Sequence, residues 1–188
     1  MSHRQHREST KDDWQTPADL FKKLNSRFKF TGDACASDDN HLCDNFFTID
    51  DSALEASWSE LGPRVFINPP YSMTSTFMGR CWGALRDRQV ELVVAVVPST
   101  CEVKWFHKYV LGKASEVWFT KGRVDFVNPD TQMSANGNVV GTAIIVWDGY
   151  TSHHRQTRFF GICGKTFTPT ETVGAAVWYG DQQVEMFA

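Results

Sequence analysis

The chain is predicted to be a single α/β domain, a doubly wound and mostly parallel sheet with helices on both faces. Three features predict it. The run Leu92-Val93-Val94-Ala95-Val96-Val97 is continuously apolar and largely β-branched, as in a strand buried on both faces of a parallel sheet. Phe77, Met78, Cys81, Trp82 and Leu85 fall on one helical stripe. Strand-like and helix-like stretches then alternate along 188 residues, a length that suits one full core.

The elements follow in order. Residues 1–12 are polar and read as a flexible arm ahead of a domain over 13–148. Thr16 suits a helix N-cap, Pro17 the first helical position and Asp19 the first turn, so a helix is expected from Ala18. Phe28-Lys29-Phe30-Thr31-Gly32 reads as a strand ending at Asp33-Ala34-Cys35-Ala36, whereas Ser37 to Ser57 gives no assignment. Arg64 to Ile67 is a strand that runs into Asn68-Pro69-Pro70-Tyr71, and the Phe77 to Leu85 helix comes next. The strand Glu91 to Val97 stops at Pro98. Ser99 or Thr100 can cap a helix carrying Trp105, Phe106, Tyr109 and Val110, with Gly112 as its stop. Strands are expected at Ser115 to Thr120 and Thr142 to Trp147, separated by turn-rich Asn128-Pro129-Asp130 and Asn136-Gly137-Asn138. Residues 149–188 are taken as an extension of the same domain without an assigned role.

Composition narrows the class. Apolar residues make up 41% and charged residues 22%, as in an ordinary globular protein. No run is long and apolar enough to cross a bilayer, and the first residues are not signal-like, so a cytoplasmic location without membrane contact is expected. The five cysteines are unpatterned, which favours reduced thiols over a disulfide framework. Cys35, His41 and Cys43 raise zinc, but no paired Cys-x-x-Cys supports it, and no metal is expected. A formal charge of −3 means that any nucleic-acid contact rests on local cations, best represented by the set Lys104, Lys108, Lys113, Lys121 and Arg123, with a solvated face as the alternative.

The tetrapeptide Asn68-Pro69-Pro70-Tyr71 carries the chemistry. The exocyclic amine of a base, like an amide nitrogen, shares its lone pair with a π-system and is a poor nucleophile. An Asn carbonyl and a neighbouring backbone carbonyl that accept its two N–H groups draw it toward tetrahedral geometry, with the lone pair free to attack a methyl donor. The prolines fix φ and remove donors, so those acceptors are held still. Tyr71 offers a face for an extruded base, a contact worth roughly 1–3 kcal/mol. Asn68, Pro69, Pro70 and Tyr71 are therefore the expected catalytic residues, at a strand end where α/β sheets bind ligands. Asp33 closes an earlier strand, and the two ends can meet at the switch point.

Trp14-Gln15-Thr16-Pro17, Phe30-x-x-Asp33-Ala34-Cys35-Ala36, Asp51-Ser52-Ala53-Leu54 with Trp58, Asn68-Pro69-Pro70-Tyr71 and Gly122-Arg123-Val124-Asp125-Phe126 together resemble the phage-type DNA N-6-adenine methyltransferase (Dam) family. The resemblance implies a Rossmann-like sheet of the S-adenosylmethionine-dependent kind and methylation of adenine in double-stranded DNA. The base would be flipped out and methylated directly, at a short site such as GATC, with no obligatory protein partner. It implies that Trp14, Thr16 and Pro17 wrap the methionine end of the cofactor, and that Asp33, Ala34 and Cys35 lie under its adenosine and amino groups. Asp51 would face adenine or ribose, with a helix cap before Ala53 as the alternative for Asp50 and Asp51. Tyr71 and Phe126 would hold the base, with a plain core role as the alternative for Phe126, and Arg123, Lys104 and Lys121 would meet DNA. Sequence reading would fall to loops such as 128–139 and to the tail. Enzymes that methylate guanine in RNA or glutamine in a protein factor share the tetrapeptide, but they usually carry a glycine-rich cofactor loop, and Asp33 to Asn40 contains no glycine. A catalytically inactive DNA-binding relative is the remaining rival.

Overall fold

The computed structural model describes residues 10–134, 140–149, 157–162, 178–179 and 182–183. Helix α1 (Ala18–Phe28) forms because Phe21, Leu24 and Phe28 recur every three or four residues and are all buried. The strand expected at Phe28–Gly32 is therefore corrected: Phe28 belongs to the last helical turn, and Lys29 at φ 54° closes the helix by donating to the Asn25 carbonyl. The alternation Phe28-Lys29-Phe30 imitates a strand because one aromatic ends the helix and the next begins the connection.

Seven strands follow: β1 (Gly32–Asp33), β2 (Asn45–Phe46), β3 (Arg64–Ile67), β4 (Leu92–Pro98), β5 (Glu116–Thr120), β6 (Thr142–Asp148) and β7 (Arg158–Ile162). They form one sheet in the order β2-β1-β3-β4-β6-β5-β7. The neighbours β1–β2, β1–β3, β3–β4 and β5–β7 are parallel. Pairs β4–β6 and β5–β6 are antiparallel, so the sheet is mixed. The chain between β5 and β6 holds no described helix, and without a crossover the returning strand runs antiparallel. A separate antiparallel pair joins β8 (Trp178–Tyr179) to β9 (Gln182–Gln183).

Helices cover both faces. Along β4, Leu92, Val94 and Val96 pack with α1 residues, while Val93, Ala95 and Val97 pack with α2 (Thr74–Arg86) and α3 (Lys104–Tyr109). Two covered faces, rather than uniformly parallel neighbours, account for the unbroken apolar run. Helix α3 starts at Lys104 after Val103, so neither Ser99 nor Thr100 caps it. Gly32 is required where β1 passes the turn at Leu61, since a Cβ there would lie 2.5 Å from both Leu61 Cβ and its carbonyl oxygen. Register places the ends of β1, β3, β4 and β5 and the start of β6 along one edge of the sheet.

The segment after Gly149 supplies β7, which lies beside β5 and is anchored by charge. Glu116, with its side chain only 8% exposed, accepts two bonds from Arg27 at 3.0 and 2.9 Å, one from Arg158 at 2.7 Å and one from the Trp118 indole at 2.9 Å. Arg27 also stacks over Phe28 and Trp118. Replacing either arginine with alanine leaves the other to compensate Glu116, and each change is expected to cost about 1 kcal/mol. The double replacement strands a buried carboxylate and is expected to cost ~3–5 kcal/mol, more than the sum. Urea denaturation of the four proteins checks this, and additive losses would show that the arginines do not share the charge.

Candidate active site

Strand β3 ends at Ile67 and hands the chain to Asn68, whose side-chain position alternates with Ile67 onto the α1 face. Its Nδ2 donates to the Trp14 carbonyl at 2.9 Å. A carbonyl only accepts, so the amide nitrogen must face Trp14 and the oxygen must face the other way. That oxygen is buried without a hydrogen-bond partner. An unsatisfied buried acceptor costs ~1–3 kcal/mol, a penalty that folds rarely retain without a use.

The prolines behave as stiff spacers. Pro69 is buried, Pro70 adopts φ −49° and ψ 129°, and the Pro70 carbonyl accepts from Met73 N–H at 2.9 Å. Tyr71 lies edge-on to Phe126 at 6.1 Å, and Phe126 stacks with Trp14 at 6.4 Å. Burial pushes the Tyr71 phenol well above its usual range, so it stays protonated. Phe126 reaches this position because the chain after β5 comes back beside the segment before α1, where Gln15 and Val127 exchange backbone bonds of 2.9 and 3.0 Å. The structure thus brings together Trp14, Asn68, Tyr71 and Phe126, although Phe126 is 55 positions beyond Tyr71 in the chain.

Asp33 ends β1 directly beside Phe66, two residues before Asn68. It is 2% exposed, and its carboxylate accepts from the Cys35 and Leu42 N–H groups at 3.2 and 3.3 Å. Burial outweighs those bonds and raises its pKa from 3.8 to about 6. Ala34 is buried and donates to the Phe66 carbonyl at 3.0 Å. The Cys35 thiol is pushed up by burial and then by the neighbouring Asp33 charge, which makes it a packing group rather than a nucleophile.

With this geometry established, comparison with known proteins decides the family. A model described as DNA N-6-adenine-methyltransferase (Dam) matches residues 3–164. The chain belongs to this family. A DNA N-6-adenine-methyltransferase of Haemophilus phage HP1 is 32% identical over 136 residues, which cover 70% of this chain and 76% of that one. Another, from Escherichia phage T1, is 24% identical over 155 residues, which cover 74% of this chain and 63% of the T1 protein, so the match spans less than two thirds of that relative.

The other expected positions of this Dam-family chain are distributed unevenly. Thr16 is buried with an unpartnered hydroxyl and does not cap α1; the residue at the N-cap is Pro17. Asp51 is exposed, and its carboxylate accepts from Thr48 N–H and hydroxyl at 2.6 and 2.8 Å, which lowers its pKa. Residues 50–56 form turns, so neither Asp50 nor Asp51 caps a helix before Ala53. Lys104, Lys121 and Arg123 are exposed, the first opening α3 and the other two in the segment that follows β5. Among the described residues no His, Cys, Asp or Glu cluster could hold a metal, and no helix is long and apolar enough to cross a membrane. Of the loop 128–139, expected from the sequence to read DNA, residues 135–139 lie outside the described residues, as do most residues of the tail.

Sequence reasoning missed Asp12, which sits in a short turn at Lys11–Asp13 and binds Ser72. The local signal was Thr10 three residues before Asp13, a capping pattern; nothing in it names Ser72 as the partner.

Because Asp33 holds its proton more tightly in the fold, the stabilisation present below about pH 4 is lost as pH rises through about 6, by ~3 kcal/mol. The stability advantage of the ligand-free wild type over Asp33→Asn should shrink by that amount between about pH 4 and 8 in urea titrations. A gap that does not change with pH would show that burial does not raise Asp33.

Proposed function

We propose that this chain methylates the exocyclic amino group of adenine in duplex DNA, using S-adenosylmethionine and a base turned out of the helix. The observation that carries the reading is the Asn68 oxygen, buried, unpartnered and fixed in direction by the bond from its own amide to Trp14. Asn68 Oδ1 and the Pro69 carbonyl accept the two N–H groups of the amine and leave its lone pair to attack. Tyr71 supplies the stacking face, with Phe126 and Trp14 completing an aromatic wall. Since Asn68 Oδ1 is screened from solvent, that wall parts when a base enters. The proton lost from the product nitrogen passes to water.

The chain's residues suit the cofactor. An orphaned hydroxyl at Thr16 and a buried carboxyl at Asp33 are the groups that an amino-acid ligand with an ammonium needs, and Trp14, Pro17, Ala34 and Cys35 are the apolar partners we assign. A Rossmann-like methyltransferase sheet, with β2 and β3 on opposite sides of β1, supports placing them at this switch point. When bound, S-adenosylmethionine supplies an electrophilic methyl group on a sulfonium. Asp51 is assigned to its adenine or ribose. Lys104, Lys121 and Arg123 are assigned to phosphates around a short recognition site such as GATC.

Purified protein is expected to move labelled methyl from S-adenosylmethionine to unmethylated duplex DNA rather than to RNA or a protein factor. Asn68→Ala is expected to lower the rate by at least about 10²–10³-fold. Label in RNA or protein, or binding to DNA without any turnover, would overturn the assignment. Joint replacement of Lys121 and Arg123 with alanine should weaken binding to all duplexes and reduce the salt-dependence slope by about 2. An unchanged slope would remove those two from the interface.

A further inference from the structure

We infer that the segment Thr10–Gln15 is a strap that sets the catalytic turn, and that Asp12 is its positioning residue. This rests on the proposed methyl transfer at Asn68 and adds a residue that acts on the reaction without touching the substrate.

The strap grips the turn at both ends. Before the two prolines, the Trp14 carbonyl receives the Asn68 amide at 2.9 Å. After them, Asp12 receives Ser72 twice, its N–H at 2.9 Å and its hydroxyl at 2.6 Å. Pro69, Pro70 and Tyr71 are thus spanned by two anchors whose partners, Asp12 and Trp14, are themselves two residues apart. The strap is shaped locally before it binds. Asp13 accepts from the Thr10 N–H and hydroxyl at 2.7 and 3.0 Å, and the Thr10 hydroxyl accepts from Asp12 N–H at 3.3 Å. That closed turn leaves Asp12, not Asp13, to reach across the fold. On its far side the strap is tied by the paired backbone bonds between Gln15 and Val127, next to Phe126.

A prolyl turn is stiff internally, yet its position as a unit depends on what holds its ends. Nothing in Pro-Pro geometry dictates which side of the Asn68 carboxamide faces the site. The carbonyl at Trp14 does so, provided the strap stays seated, and Asp12 seats it against the residue that follows Tyr71. Losing Asp12 frees the turn by an amount on the scale of 1 Å, a misplacement that costs up to about 10²-fold in rate when it concerns reacting groups.

The test compares wild type with Asp12→Ala, Asp12→Asn and Ser72→Ala. Wild-type transfer to duplex DNA first establishes the reaction, so its absence would count against the proposed function and not against the strap. Asp12→Ala should lower kcat by about 10- to 100-fold, with KM for S-adenosylmethionine and for DNA within about twofold. Asp12→Asn, which can still accept from the Ser72 N–H and donate to its hydroxyl, should recover most of that loss, and Ser72→Ala should lose only a few-fold because its backbone bond survives. A second readout needs no turnover: the Asn68 side-chain amide signal in nitrogen-15 NMR should move toward that of an unbonded carboxamide in Asp12→Ala and return in Asp12→Asn. Unchanged kcat, a loss confined to KM, or an unmoved Asn68 signal would each overturn the strap. Should Asp12→Ala fail to fold, the kcat of the other two variants still decides, since equal and complete loss in both would refute the graded order.

Discussion

The site depends on a bond between a side chain and a distant backbone group, Asn68 Nδ2 to the Trp14 carbonyl. A carboxamide is nearly symmetric in shape and opposite in chemistry at its two ends, so an acceptor placed on one side decides what the other side offers. Here the nitrogen is engaged and the oxygen is left buried and unmatched. The sheet edge, the prolines and the aromatic wall are arranged around that polarity. Without it, Asn68 could as readily present donors, which would repel the N–H groups of an amine instead of accepting them.

Sheet topology explains how such distant groups meet. Strands β1 and β3 run parallel in register, so Asp33 lies beside the strand that ends at Asn68, while β5 and β6 finish and begin at the same edge. The segment between them returns Phe126 and Val127 to the Trp14–Gln15 segment. Three pieces of chain, from before α1, after β3 and after β5, thereby share one small volume. Burial there acts in the same direction on two polar groups, favouring the neutral form of each: it keeps the Tyr71 phenol protonated and makes the Asp33 carboxylate easier to protonate.

Much of this was legible in the sequence where a single physical cause acts locally. The β4 run and the α2 stripe reflect burial periodicity alone, and both elements occur where periodicity places them. The stiffness of the tetrapeptide was readable because proline geometry does not depend on distant neighbours, whereas the direction of the Asn68 carboxamide is set by the Trp14 carbonyl. Where two causes compete, the local signal misled. Phe28 serves a helix although it alternates like a strand, and Thr16 has a capping side chain but an environment that buries it without a partner. The antiparallel course of β6 was hidden because apolar runs record how many faces are covered, not which way a neighbour points. Asp12 and Ser72 are 60 residues apart, and no local pattern encodes a pairing that only the fold creates.

The most direct measurement is a crystal structure of the protein with an unmethylated duplex and a non-transferring analogue of S-adenosylmethionine. The expected result is an extruded adenine whose amino nitrogen lies about 3 Å from both Asn68 Oδ1 and the Pro69 carbonyl, with Asn68 Nδ2 still bonded to Trp14. An adenine left in the stack, or an Asn68 carboxamide rotated so that its nitrogen meets the base, would contradict it.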